Sequence, residues 1–193
     1  MTSPVLAIHG GAGGNGPWKG PTSMDQDRIS SMENVLSTVG KLLSDGVDAL
    51  EAVTIAVEML EDEPLFNAGK GSVLNQGGEI TMDASIMRGY DQAAGSVVNV
   101  RRVRNPIRVA NAILHRGWPV MLNGEAADQF GIESGVDQVS SDYLITNLRK
   151  AQWEKWRNSK SDVGSTDEDD AVLDHDLEGR VGTEFSDEPA GMG

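Results

Sequence analysis

The sequence predicts an α/β fold, in which amphipathic helices alternate with short strands. Apolar side chains recur at three- and four-residue steps over 29–43 and again over 50–60, which is typical of helices with one buried face. After residue 64 the pattern changes to short apolar runs and glycine-rich turns, which are typical of strands. The continuous apolar run Pro4–Ile8 predicts a further strand, buried on both faces.

Capping and breaking residues set the bounds of these elements. Asp48 can cap the second helix and Pro64 ends it, whereas Asn105 and Pro106 offer a cap and a first helical residue for a third, which Gly117 stops. Gly77 and Gly78 predict a hairpin turn. The predicted strands are 4–8, 72–74, 79–87, 96–103 and 119–122, and the helices after residue 104 are 105–117, 124–130 and 140–156.

Composition excludes several classes of protein. The 193 residues carry a net charge of −14, which disfavours binding to nucleic acid or to an anionic membrane. There are no cysteines, so disulfides, thiolate nucleophiles and cysteine-based metal sites are absent. The N-terminus lacks the features of a signal peptide, and no apolar run reaches the ~20 residues of a membrane span. We therefore expect a cytoplasmic protein.

The charge is unevenly distributed and suggests two regions. Residues 1–157 have a net charge of −5 and carry all the predicted helices and strands. Residues 158–193 have a net charge of −9, few aromatic residues and no apolar periodicity. We expect the first region to be the folded body and the second to be an acidic, flexible linker.

A glycine-rich loop follows the first predicted strand. GAGGNG, residues 11–16, fits the G-x-G-x-x-G pattern of dinucleotide sites, but Pro17 and Pro21 intervene before any helix can begin. A small module that holds a nucleotide or an anion with loop 10–16 therefore stays open as an alternative. His9 has two interpretations, a structural side chain that holds this loop or an acid–base group, and the histidine spacing does not support a zinc site.

Two further motifs carry polar side chains among apolar neighbours. In FNAGKGS, Asn67 is either a turn residue or an amide that donates or accepts in a site, and Lys70 is more often a surface charge. In MDASIM, Asp83 lies in a predicted strand with apolar neighbours, so a buried Asp83 would need a hydrogen-bond partner. The residue types alone give no complete catalytic set.

Five ordered blocks carry a family resemblance: IHGGAG, LEDEPLFNAGKGSVLN, EITMDASIM, AGSVVNV and RNPIRVA. Together they resemble the α subunit of the plant-type (class 3) L-asparaginases, also called isoaspartyl peptidases or β-aspartyl-peptidases. The resemblance covers about Val5 to Lys150. It implies the αββα sandwich of the N-terminal nucleophile hydrolases, of which this chain would be the α-subunit half.

The resemblance also implies where the chemistry lies. Such precursors cleave themselves before a threonine, which becomes the nucleophile at the start of the β subunit. Thr183 is a poor candidate because acidic residues follow it, so we expect the scissile bond after Gly193. Gly10 and Gly11 would lie beside that bond and then beside the active site, and Asn67 would line the site near the nucleophile. No substrate-binding residue is expected in this chain.

The resemblance further implies a structural ion and a partner. Carbonyl oxygens are suitable ligands for a hard cation, and the backbone carbonyls expected around a structural sodium are those of Leu60, Glu61, Glu63, Phe66, Ala68 and Lys70. No cofactor is expected for catalysis. The expected partner is a β subunit from the same precursor, assembled as an (αβ)2 dimer that hydrolyses L-asparagine and isoaspartyl dipeptides.

Overall fold

The computed structural model describes residues 4–11 and 23–161, and it confirms the predicted α/β fold. A pair of helices is followed by two strands, a helix, a third strand and three further helices. Within the described residues they are α1 (Ser23–Ser44), α2 (Ala49–Asp62), β1 (Met82–Met87), β2 (Ala94–Val100), α3 (Pro106–Arg116), β3 (Met121–Asn123), α4 (Gly124–Glu133), α5 (Ser141–Leu144) and α6 (Asn147–Ser161).

The described strands form one sheet in the order β1-β2-β3. Strand β2 pairs with β1 in antiparallel register and with β3 in parallel register. The parallel pairing requires a crossover, which helix α3 provides. An irregularity in the β1–β2 register between Met82 and Ala84 marks the position of Asp83.

Helices α3 and α4 cover one face of this sheet. Gly95 of β2 lies so close to α3 that a Cβ atom would stand 2.1 Å from the Ala110 carbonyl oxygen. Val97 of β2 and Ile113 of α3 are fully buried in the same apolar cluster. The side chain of Asp83 on β1 is exposed. The arrangement is a helix-covered sheet, as expected for one half of an αββα sandwich.

Helices α1 and α2 pack against each other through small side chains. Val35 and Val39 of α1 contact Ala52 and Ala56 of α2, and all four are almost completely buried. The predicted buried face of α1 was partly wrong, because Leu36, one of the apolar residues of the run 29–43, is 40% exposed. The alanines let the helices approach closely, so the contact follows the Val–Ala face rather than the bulkier residues.

The predicted strand Pro4–Ile8 is wrong for the described chain. No backbone hydrogen bond among the described residues joins it to another segment, and a strand needs such a partner. Leu6 and Ile8 instead pack against the α1–α2 pair, whereas Val5 is 91% exposed. The alternation of buried and exposed side chains is present, but the paired strand is not.

Two other predictions are corrected near the glycine-rich motifs. Residues 72–74 form no strand, because Ser72 donates to the Gly69 carbonyl at 3.2 Å and closes a turn. Gly77 and Gly78 do form a turn, with the Gly78 N–H donating to the Asn75 carbonyl at 2.9 Å, but no strand precedes it in the described chain, so the predicted hairpin is wrong.

The predicted helix 140–156 is interrupted. Ile145 has an extended backbone with φ −76° and ψ 121°, which ends α5 after one turn. Thr146 precedes α6 and caps it, because its Oγ1 atom accepts from the Arg149 N–H at 3.2 Å. Helix α6 continues to Ser161, and the linker predicted over 158–193 stays a prediction because residues 162–193 lie outside the described part.

Candidate active site

A cavity of about 360 Å³ lies between the FNAGKGS turn, strand β1 and the start of helix α3. It brings together two polar residues that the sequence singled out separately, Asn67 and Asp83. It also includes Glu61, whose side chain the sequence did not single out. The lining is completed by Val57, Ala68, Gly69, Ser72, Val73, Thr81, Met82, Ala84, Ser85, Pro106 and Ile107.

Asn67 is both a turn residue and a residue of this cavity. Its Oδ1 atom accepts a hydrogen bond from the Val73 N–H at 2.9 Å and so spans the turn. This bond orients the amide with its oxygen toward the backbone and its donor nitrogen Nδ2 on the other side. The side chain is exposed, so Asn67 is accessible to a molecule that enters the cavity.

The turn after Asn67 is tight because two glycines adopt positive φ values. Gly69 has φ +48°, and a Cβ there would lie 2.3 Å from the Glu61 carbonyl oxygen. Gly71 has φ +107°, and a Cβ there would lie 2.6 Å from the Pro64 carbonyl oxygen and 3.0 Å from that of Phe66. Side chains at these positions would be both strained and too close to the backbone, because the carbonyl oxygens of Glu61, Pro64 and Phe66 lie close to the two glycines.

Two of these three carbonyls, those of Glu61 and Phe66, are among the six predicted for sodium. Those of Leu60, Glu61 and Glu63 also accept backbone hydrogen bonds within the same turn, the bond from the Lys70 N–H to Glu61 being 2.7 Å long. A carbonyl oxygen has two lone pairs, so one such bond leaves acceptor capacity. The described residues contain no cluster of three histidine or carboxylate side chains placed to hold a metal ion.

Lys70 is not the solvated charge that its surroundings in the sequence suggested. Its ammonium group lies 5.2 Å from the centre of the Tyr143 ring, and the residue is half-buried. The guanidinium of Arg104 contacts the same ring at 5.6 Å. The turn is therefore in contact with the segment that contains α5.

The buried side chain of Glu61 beside the cavity was not predicted from the sequence. Only 4% of the residue is exposed, and its Oε1 atom accepts from the Ile107 N–H at 3.0 Å. Its Oε2 atom has no hydrogen-bond partner among the described residues. The nearby Asn105 amide favours the charged carboxylate, although that amide donates to Asp62 at 3.2 Å. Burial dominates and raises the pKa of Glu61 to about 8.

The contact between Glu61 and Ile107 also changes how α3 begins. Asn105 occupies the cap position, as predicted, but its side chain makes no capping hydrogen bond. The Glu61 carboxyl group from α2 caps the helix instead, which was not evident from local sequence because the two residues are 46 positions apart.

The loop His9–Gly11 lies beside the Asn67 turn. A Cβ atom on Gly10 would stand 3.1 Å from both the Phe66 ring and the Met32 sulfur, so Gly10 is in close contact with the residue before Asn67. The His9 Nδ1 atom accepts from the Gly11 N–H at 3.2 Å, which agrees with a structural role in holding the loop. Neither Gly10 nor Gly11 lines the cavity.

Asp83 is exposed, so its apolar neighbours in the sequence do not bury it. Its Oδ1 atom nevertheless accepts from the Asn99 N–H at 2.7 Å across the strand pair. Asn99 has φ +60°, a left-handed conformation that asparagine tolerates better than most residues. The bond accompanies the register irregularity in β1 and fixes the Asp83 carboxyl group at the cavity.

Several sequence-based predictions lie outside the described residues. These are the glycines of GAGGNG beyond Gly11, the candidate threonine Thr183 and the expected cleavage position Gly193. The described helices also include none that is long and apolar enough to cross a lipid bilayer.

Comparison with known proteins identifies the family. The family model described as asparaginase matches residues 2–184, so the chain belongs to the asparaginase family. This assignment disfavours the alternative of a nucleotide- or anion-binding module. The predicted family resemblance and the α/β fold are thereby confirmed.

The similar relatives carry consistent names. The chain is 39% identical over 160 residues to the isoaspartyl peptidase/L-asparaginase of Homo sapiens, covering 82% of this chain and 50% of the relative. It is 36% identical over 152 residues to the isoaspartyl peptidase of Escherichia coli (strain K12), covering 79% of this chain and 47% of the relative. The chain thus spans about half the length of the curated relatives it matches.

Proposed function

We propose that this chain is the α subunit of a self-processed threonine amidohydrolase that acts on isoaspartyl peptides and L-asparagine. The observation that carries the proposal is the cavity in which Asn67 lies, in a chain of the asparaginase family. The name of the human relative supports both substrates, and that of the bacterial relative supports isoaspartyl peptides.

The nucleophile would come from the partner chain. A threonine at the start of the β subunit, released by cleavage after Gly193, can use its own amino group as the base for its hydroxyl. The hydroxyl oxygen attacks the β-carbonyl carbon, and ammonia or the amine of the next residue leaves with a proton. Water then hydrolyses the ester and releases the aspartyl product.

The residues of this chain would assist that reaction by position and polarity. Asn67 presents its amide at the cavity, where Nδ2 can donate to the oxyanion that develops during the attack. Gly10, held against Phe66, would keep the backbone of the first loop close to the scissile bond and then to the substrate. The absence of a Cβ atom permits that approach.

We also propose a structural sodium in the Leu60–Lys70 turn. The carbonyl oxygens of Glu61 and Phe66 lie close to Gly69 and Gly71, where there is no room for side chains, and carbonyl oxygens are suitable ligands for a hard cation. The carbonyls of Leu60, Glu61, Glu63, Phe66, Ala68 and Lys70 would hold it. The ion would supply a fixed shape to the turn that contains Asn67.

The proposed assembly is an (αβ)2 dimer in the cytoplasm, with 158–193 as the linker that brings the bond after Gly193 to the site before cleavage. Expression of the full-length protein tests this proposal. Intact-mass measurement should give a chain of 20.6 kDa together with a second chain that begins with threonine.

The same preparation should release aspartate from a β-aspartyl dipeptide and from L-asparagine. Replacement of the residue after Gly193 by alanine is the control, and it should abolish both cleavage and hydrolysis. A folded full-length protein that stays as one chain and hydrolyses neither substrate would show the proposed function to be wrong. Calorimetry with NAD and ATP tests the nucleotide-binding alternative, for which we expect no binding.

A further inference from the structure

The segment that contains α5 and the start of α6 holds the Asn67 turn at one residue, Gly71. The Gly71 N–H donates to the Leu144 carbonyl at 3.1 Å. The Gly71 carbonyl accepts from the Arg149 Nε–H at 2.6 Å. Both backbone polar groups of Gly71 are therefore bonded to a segment more than 70 positions away in the sequence.

Arg149 is itself fixed in place. Only 7% of the residue is exposed, its N–H donates to the Thr146 hydroxyl, and its Nη1 atom donates to the Gln152 Oε1 at 3.0 Å. The break at Ile145 is what directs the Leu144 carbonyl toward Gly71 instead of along a continuous helix. The geometry of α5 and α6 is thus adapted to the turn.

Gly71 lies in the short segment between Asn67 and Val73, which are joined by a hydrogen bond. The side chain of Asn67 bonds to the Val73 N–H, two residues after Gly71. The intervening sequence Ala68–Ser72 contains two glycines, which lose much conformational entropy when they are ordered. Because a charge-assisted hydrogen bond is stronger than a neutral one, the Arg149 contact is well suited to fix this backbone.

We propose that Arg149 is a positioning residue for Asn67, acting through the Gly71 carbonyl. The proposal rests on the proposed function, since it assigns Asn67 to the hydrolytic site. Arg149 lies outside the cavity and is not a residue that touches the substrate. Its effect is to hold the backbone that determines where the Asn67 amide points.

A pair of substitutions of equal length isolates this contact. In Arg149→Gln the amide nitrogen occupies the position of Nε and can still donate to Gly71. In Arg149→Met a methyl group occupies that position and cannot donate. Both variants remove the charge and the bond to Gln152, so Gln152→Ala serves as a control for the second loss.

In the full-length protein we expect kcat of Arg149→Met to fall at least about tenfold, with KM within about twofold, because a misplaced group affects the chemical step most. Arg149→Gln and Gln152→Ala should stay within about threefold of the wild type in kcat. In an Asn67→Ala background, Arg149→Met should cause no further loss, since the two residues act as one unit. Multiplying losses, or equal losses in the Gln and Met variants, would overturn the proposal.

Amide hydrogen exchange over 67–73 separates this inference from the proposed function, because it needs no activity. Protection of the Gly71 and Val73 amides should decrease in Arg149→Met and persist in Arg149→Gln. If the wild type hydrolyses neither substrate, the proposed function is wrong. Hydrogen exchange still decides whether Arg149 orders the turn. Unchanged protection in Arg149→Met would show that it does not.

A variant that does not fold also gives a result. If Arg149→Met alone is unfolded, Arg149→Lys replaces it, because its donor lies one bond beyond the Nε position. The proposal then requires Arg149→Gln to exceed Arg149→Lys in kcat and in protection, although lysine keeps the charge. Unfolding of all three variants would assign Arg149 to the stability of α6 and would overturn the positioning role.

Discussion

Glu61 and Ile107 are joined by a hydrogen bond in which a carboxyl oxygen of α2 accepts from the first turn of α3 at 3.0 Å. The bond connects the end of the helix before the Asn67 turn to the helix that covers the sheet. It also places a carboxyl group in a buried position beside the cavity. Two elements that frame the site are thus linked by one side chain.

The buried carboxyl group predicts a stability that depends on pH. The pKa of Glu61 rises from 4.5 to about 8 on folding, so across this window the folded protein keeps a proton that the unfolded chain releases. The contribution of Glu61 to the free energy of unfolding should therefore decrease as the pH rises through this range and level off above it.

Glu61→Gln tests that prediction, because the amide is neutral at every pH and keeps an oxygen that can accept from Ile107. Relative to the wild type, this variant should gain stability between about pH 5 and about pH 8. Urea unfolding of both proteins across that range measures the difference. Parallel stability curves would contradict the assignment of a protonated Glu61.

The acceptor and donor atoms of the Asn67 side chain can be tested separately. Asn67→Asp keeps an oxygen for the Val73 N–H but replaces the donor Nδ2. Its kcat on a β-aspartyl dipeptide should fall by about 100-fold, as it does when an oxyanion donor is removed. Asn75→Asp is the matched control, since Asn75 also closes a turn, by accepting from the Glu79 N–H at 3.1 Å, and should change kcat little. An Asn67→Asp variant with wild-type kcat would remove Asn67 from the chemistry.

Local signals in the sequence predicted the elements that local interactions determine. Asp48 caps α2, with its Oδ1 atom accepting from the Leu50 N–H at 2.9 Å, and Gly117 ends α3 with φ +82°. Both features depend on residues only a few positions apart. Strands β1 and β2 were likewise predicted from short apolar runs, although their pairing was not.

Features that depend on distant residues could not be predicted in the same way. The role of Glu61 requires Ile107, and the role of Arg149 requires Gly71, 78 positions earlier in the chain. The break at Ile145, which directs the Leu144 carbonyl toward Gly71, was missed because apolar residues continue through it. The family resemblance located Asn67, but only the fold places it beside Glu61 and Asp83.

The proposed sodium predicts a stability that depends on the cation. A ligand that binds only the folded protein raises the free energy of unfolding in proportion to the logarithm of its concentration above its Kd. Exchange of sodium chloride for choline chloride at equal ionic strength should therefore lower Tm, and added sodium should restore it. A Tm that is the same in both salts at every concentration would argue against an ion in the Leu60–Lys70 turn.

Gly69 and Gly46 form a matched pair that separates backbone strain from steric exclusion. Both have positive φ values, +48° and +93°, but a Cβ on Gly69 would lie 2.3 Å from the Glu61 carbonyl whereas a Cβ on Gly46 would meet nothing within 4 Å. Gly46→Ala should cost about 1–2 kcal/mol from strain, and Gly69→Ala should cost about 1–3 kcal/mol more from overpacking. Urea unfolding measures both values. Equal costs would mean that the turn can open away from Glu61, and the carbonyls would then lack the fixed geometry that a bound ion and an oriented Asn67 require.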